Sequence, residues 1–113
     1  MAVTKQKNRL SQREMDEMFS QARDATEMLK VMSHEGRLLI LCVLLDGEKS
    51  VGEIEESVGL AQATVSQHLS RLRLDRILAT RREGRQIYYR IVDNKVTTLI
   101  STLYSLFCKK SGK

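Results

Sequence analysis

The chain has 113 residues, of which 42% are hydrophobic and 29% charged, with a net charge of +5 and an isoelectric point near 9.5. That composition excludes an intrinsically disordered chain, and the length suits one domain of ordinary size with a modest core. No apolar run is long enough to cross a bilayer, and the opening MAVTKQKNRLSQREM has basic residues without an apolar stretch behind them. A secretory signal is therefore not expected, and a cytoplasmic location is.

Residues 1–10 are polar and basic without periodicity and read as a flexible N-terminal arm; residues 11–113 read as one domain. Ser11, with Glu14 three positions on, has the pattern of a helix capping box. Behind it Met15, Met18, Ala22, Ala25, Leu29 and Met32 recur at alternating steps of three and four. That predicts one long amphipathic helix with an apolar seam of coiled-coil width, and such a Met-rich stripe belongs to a core or an interface. Ser33 and His34 interrupt it. From Gly36 onward RLLILCVLL is apolar nearly all round, which predicts a helix at the buried centre of the domain, holding Cys42 and closed by Asp46-Gly47.

The stretch from Val51 to Arg90 carries the chemistry. Ser50 is the expected N-cap of a short helix, with Glu53 at the box position; Ile54 and Val58 face inward, and Gly59 supplies a turn. A second helix runs from Gln62 to about Arg73, with Val65, Leu69 and Leu72 toward the core. Its opposite face carries Ala63, Thr64, Ser66, Gln67, Ser70 and Arg71, and Gln62 stands in its first turn. Small and hydrogen-bonding side chains of this kind let a helix approach base edges and read them. Ala61 stands where a Ser or Thr cap is preferred. Two strands follow, Ile77–Thr80 and Gln86–Arg90, joined at Glu83-Gly84 and flanked by Arg81, Arg82 and Arg85, a turn suited to a phosphate backbone or a minor groove. The order is helix-turn-helix plus β-wing: a mainly α winged helix-turn-helix with a two-stranded wing.

Charge follows the same division. Residues 61–90 hold seven basic and two acidic side chains, whereas residues 34–60 hold two basic and six acidic. Positive charge is thus concentrated on the second helix and the wing, as phosphate contact requires; a merely solvated basic surface is the plain alternative. The implied partner is double-stranded DNA.

Asp93 caps a last helix in which Val96, Ile100, Leu103 and Phe107 step by four, three and four. Neither terminal seam is needed to complete a winged helix. The expected use is a homodimer interface built from Met15, Met18 and Ala22 at one end and Val96, Ile100, Leu103 and Phe107 at the other. Two-fold symmetry would set two recognition helices roughly 34 Å apart, over an inverted-repeat operator.

Cys42 and Cys108 lie far apart in sequence. A reducing cytosol disfavours a standing disulfide, which leaves two readings open: packing residues, or a reactive pair. His34 and His68 lack metal-ligand spacing and read as structural. No paired carboxylates, nucleophile–base pattern or phosphate-binding glycine loop occurs at usable spacing, so an enzyme is not expected, and no cofactor is.

The strings LKVMSHEGRLLILCVL, SVGEIEESVGLAQATVSQHLSRLR and RREGRQIYYRI resemble the ArsR/SmtB-type winged-helix transcriptional repressors, over roughly residues 25–108. The resemblance implies a dimeric repressor that releases operator DNA on meeting its inducer. Metal-sensing members place a cysteine motif where this chain has Ser50-Val51-Gly52, and a second ligand set where it keeps Asp93 but has Lys95, Leu106 and Lys109. One carboxylate of four ligands does not hold zinc. The pairing of Cys42 with Cys108 resembles the persulfide- and redox-sensing branch, the BigR, SqrR and HlyU-like repressors. There the two thiols of one subunit become bridged by a disulfide or polysulfide and DNA is released, which implies a sulfane-sulfur or oxidant inducer and sulfide-detoxification genes as targets. Two other functions remain open: a soft-metal or metalloid sensor using the same thiols, and an inducer-independent anti-silencing DNA binder.

Overall fold

Ser11 and Glu14 begin the first helix as their spacing demands. In the computed structural model of the chain, which describes residues 10–108, the Ser11 hydroxyl accepts from the Glu14 amide at 3.1 Å and the Glu14 carboxylate accepts from the Ser11 amide at 2.9 Å. Two orphan donors at the helix start are satisfied reciprocally. The helix, α1, runs Gln12–Met32. The expected arm, residues 1–10, lies outside the described residues except for Leu10. The chain divides into two units, Met1–Lys30 and Val31–Lys113. In the first, Met15, Met18 and Ala22 are exposed along α1, and Phe19, which the seam does not include, is 66% exposed.

The second unit opens on Val31 and Met32, both buried. His34 then starts α2 (Glu35–Val43): its Nδ1 accepts from the Gly36 amide at 3.2 Å. The apolar run is not a single helix. After Val43 it tightens into a 3-10 turn, Leu44–Asp46, ended by Gly47 at φ 137°, a conformation that favours glycine. Ile40, Leu41 and Leu44 are buried, but Leu39 is 42% exposed, so α2 is buried on one side rather than all round.

Lys49–Ser50 forms a two-residue strand, β1, that sequence alone does not suggest. Ser50 then caps α3 (Val51–Val58) in a full capping box with Glu53, and Gly59 ends it in the left-handed conformation at φ 68°. Helix α4 spans Gln62–Leu74 and buries Val65, His68, Leu69 and Leu72. Strand β2 is Leu78–Glu83 and β3 is Gln86–Ile91, antiparallel, with Leu78 opposite Ile91 and Glu83 opposite Gln86. The hairpin turn is therefore Gly84-Arg85, one residue later than the sequence suggests. Gly84, at φ 64°, takes the position that needs a positive angle. The sheet has three strands in the order β1-β3-β2, so the wing rests on the strand that leads into the helix-turn-helix. Asp93 caps α5 (Asn94–Phe107) by accepting from the amides of Lys95 and Val96.

Val96 and Ile100 of α5 are fully buried in the same core as Ile54, Val65 and Leu72. This corrects their expected place in a dimer interface: they pack within one chain, and each buried side chain is worth about 1.5–3 kcal/mol to the fold. Leu103 is half-buried, whereas Tyr104, Leu106 and Phe107 are 48%, 70% and 78% exposed. Tyr104 and Phe107 continue the stripe of Val96 and Ile100, so exposure on α5 grows toward its C-terminal end, past the edge of the core.

Candidate nucleic-acid interface and thiol pair

Helix α4 presents the face expected of a reading helix. Gln62, Ala63, Ser66, Gln67, Ser70 and Arg71 are exposed, and Thr64 is half-buried. No side chain caps its N-terminus: Ala61 has extended backbone angles and no hydroxyl to offer, so the first amides of α4 are left to solvent or a ligand. Arg71 is not a simple free cation, because its Nε donates to Asp75 at 2.7 Å one turn on. Arg73 and Arg76 extend the basic surface past the end of the helix, where Leu74 is 78% exposed. These three were not singled out by the periodicity of the reading face.

The wing separates its three arginines. Arg85 is in the turn and Arg82 on β2; both are exposed and neither makes an ion pair among the described residues. Each nitrogen of the Arg81 guanidinium meets a carboxylate. Its Nε and Nη2 meet Glu48 at 2.9 Å, its Nη1 meets Glu83 at 2.9 Å, and its guanidinium lies 4.6 Å from the centre of the Tyr88 ring. The Glu48 carboxyl is held below the usual range by the Arg81 hydrogen bond, and the Arg81 guanidinium is held still more firmly charged. Of the three expected phosphate contacts, Arg81 thus differs from Arg82 and Arg85 in already holding two carboxylates.

The two histidines, far apart in sequence, meet in the fold with ring centres 4.4 Å apart. His68 is 8% exposed, and its Nε2 is buried with no hydrogen-bond partner. A Cβ on Gly36 would stand 2.6 Å from that nitrogen, so Gly36 is what lets the reading helix approach α2. Burial pushes the His68 pKa below its ordinary value, and the charges of His34 and Arg37 add to the effect. Among the described residues no group of three or more His, Cys, Asp or Glu side chains is placed to hold a metal ion.

Cys42 is half-buried near the end of α2, and Cys108 is exposed at the C-cap of α5, where its amide donates to the Tyr104 carbonyl. Burial raises the Cys42 pKa, and a negative charge on Cys108 raises it further. A hollow of about 300 Å³ opens beside Cys42, lined by Leu45, Asp46 and Tyr104. Tyr104 stands one helical turn before Cys108, so the hollow leads from one thiol toward the element that bears the other.

An exposed polar helix after a tight turn, a basic hairpin beside it and a core that buries only the opposite faces define a winged-helix DNA-binding transcriptional regulator. Comparison with known proteins then fixes the group. The family described as "Bacterial regulatory protein, arsR family" matches residues 34–80. The biofilm growth-associated repressor of Xylella fastidiosa is 42% identical over 93 residues, covering 82% of each chain. The transcriptional activator HlyU of Vibrio cholerae is 40% identical over 95 residues, covering 84% of this chain and 88% of that one. The solved structure of reduced HlyU from Vibrio cholerae superposes with a TM-score of 0.79 at 41% identity, covering 82% of this chain and 98% of that one. The chain belongs to the ArsR family of bacterial regulatory proteins. No helix among the described residues is long and apolar enough to cross a membrane.

Proposed function

We propose that this protein is a homodimeric repressor of the cytoplasm that binds an inverted-repeat operator while Cys42 and Cys108 are reduced, and releases it when they are bridged by a disulfide or polysulfide. Genes for sulfide detoxification are the proposed targets. The observation that carries the reading is the hollow beside Cys42 lined by Tyr104, one helical turn before Cys108, which brings two cysteines remote in sequence onto neighbouring elements. One of them is exposed to an inducer, and the other is shielded at the end of a core helix.

The chemistry follows from that asymmetry. The Cys108 thiolate attacks the outer sulfur of a persulfide, takes it up as a Cys108 persulfide and releases the donor's thiolate. The Cys42 thiolate then attacks the Cys108 sulfur and expels hydrosulfide, leaving a disulfide; the two thiols supply the two electrons that reduce the transferred sulfur to sulfide. With a longer sulfane chain on Cys108, attack of the Cys42 thiolate on a sulfur beyond the Cys108 Sγ, again expelling hydrosulfide, leaves a polysulfide bridge. Burial of Cys42 favours the thiol over the thiolate, which suits a resolving rather than a first-attacking role. A bridge would tie the end of α2 to the end of α5, the helix whose outward residues Leu106 and Phe107 are the exposed apolar surface proposed to meet the second subunit. The spacing of the two reading helices would change with it.

The test uses a duplex selected from a randomised library by the reduced protein. Treatment with a sulfane-sulfur donor is expected to weaken binding at least tenfold, with mass spectrometry showing the Cys42 and Cys108 peptides joined through sulfur. If Cys42→Ser and Cys108→Ser release DNA as the parent does, the thiol switch is wrong. Release by a soft metal but not by polysulfide moves the function to metal sensing, and identical affinity under reducing, oxidising and persulfidating conditions moves it to an inducer-independent DNA binder.

A further inference from the structure

The wing of this protein is longer than its turn, and only its tip is free. Three observations converge on Arg81. First, it lies on β2 opposite Tyr88 of β3, and Tyr88 in turn lies opposite Ser50 of β1, so the central strand separates Arg81 from β1. Second, its guanidinium spans that strand: it stacks on Tyr88 and forms a two-point bond to Glu48, which immediately precedes β1. Third, β1 has only two residues, and its second, Ser50, is the N-cap of α3, the first helix of the helix-turn-helix. Two residues of strand pairing are a weak hold on a hairpin.

We propose that Arg81 is a positioning residue rather than a DNA contact: together with Glu48 it forms a clasp that fixes the angle of the wing against the base of the helix-turn-helix, so that Arg82 and Arg85 meet the phosphates in register with α4. The chemistry of the clasp needs arginine. A planar fork can bond a carboxylate at two points while lying on an aromatic ring, and a lysine ammonium cannot do both. Glu83, on the same strand two residues on, accepts from the remaining edge of the guanidinium.

The clasp and a direct phosphate contact give opposite signs for one substitution. Glu48→Gln removes a negative charge from the neighbourhood of the wing. If Arg81 binds phosphate, that change frees it and DNA binding tightens. If Arg81 is the clasp, binding weakens. The experiment measures affinity of the full-length reduced protein for the library-selected duplex across salt concentrations. Glu48→Gln, Arg81→Gln and Arg81→Lys are each expected to weaken binding about five- to tenfold. Their salt slopes should equal the parent's, and the Glu48→Gln/Arg81→Gln double variant should be no weaker than either single one. Arg82→Gln and Arg85→Gln, by contrast, should each make the slope shallower by about one counterion. Amide exchange should speed up across residues 78–91 in the clasp variants while thermal unfolding stays close to the parent's, which separates a loosened wing from a failed fold. Tighter or unchanged binding by Glu48→Gln, parent-like binding by Arg81→Lys, or a shallower slope for Arg81→Gln overturns the proposal. None of these readings depends on the thiols.

Discussion

Gly36 has no side chain because the His68 ring takes up the space where one would stand. The Cβ of an alanine there would be 2.6 Å from His68 Nε2 and 2.9 Å from its Cδ2, with Leu60 at 3.3 Å. Alanine is the better helix former by about 1 kcal/mol, but a buried ring pinned by α2 on one side and the α4 backbone on the other has little room to retreat. We expect Gly36→Ala to be destabilising by about 1–2 kcal/mol net, read from the urea midpoint, with His68→Ala in the same chain relieving part of the clash. The same ring gives a pH dependence. Its folded pKa is depressed below 6.5, by burial first and by His34 and Arg37 second, so the folded state binds fewer protons than the unfolded one. Stability therefore rises with pH in this window: the His68 contribution is complete above about pH 6.5 and is lost as pH falls below it toward the folded value. Unfolding measured from pH 8 to pH 5 should show a plateau and then a decline beginning near 6.5, and His68→Gln should flatten that decline. Neither the contact nor the titration was legible in the sequence. The sequence offers no ligand spacing for the histidines, and only the packing of α4 on α2 shows that they face each other and why position 36 is glycine.

Helix α4 is the element whose limits were clearest in advance and whose weakness is most easily repaired. Its apolar positions repeat with helical spacing, and its missing cap is visible as Ala61 in the sequence and as an uncapped N-terminus in the fold. Ala61→Ser is expected to stabilise the protein by about 1 kcal/mol, seen as a raised denaturant midpoint with an unchanged slope. The wing was less legible. Alternation predicted strands ending at Thr80 and turning at Glu83-Gly84, yet β2 runs on to Glu83, paired as far as Gln86 on β3, with Arg81 and Glu83 bonded on one face of the sheet. Charged residues at a hairpin tip look like loop chemistry until the ladder that holds them is known. Strand β1 was invisible for a plainer reason: two residues carry no period, and only the register with Tyr88 and Tyr89 makes them a strand.

For the whole molecule, charge and apolar exposure assign different jobs to different faces. The acidic half of the helix-turn-helix lies before Leu60 and the basic half after it, so a DNA-facing side was evident from the sequence. The seam of α5 was not so easily divided. Its four-three-four repeat is real, but Val96 and Ile100 turn inward while Leu106 and Phe107 are left to solvent. A contrast follows if α5 contributes to the proposed dimer. Phe107→Lys should shift the protein toward monomer in sedimentation at constant denaturant midpoint per folded chain, whereas Ile100→Ala should cost about 2–5 kcal/mol of folding stability by leaving a cavity. Equal effects of the two substitutions on association would remove the exposed end of α5 from the interface.

By itself, the sequence determined the order of the helices and the two wing strands, the caps at Ser11, Ser50 and Asp93, the core face of α4, the basic half of the chain and the presence of two thiols. All of these follow from local periodicity and local hydrogen bonding, which operate within a few residues. The tertiary structure alone decided which residues meet. It brought His68 against Gly36, set Tyr104 of α5 beside Cys42, turned Val96 and Ile100 from an expected interface into core, and gave Arg81 its partner Glu48. Contacts between remote positions depend on helix crossing and strand register, and a single apolar pattern is compatible with several of these until the whole core is packed.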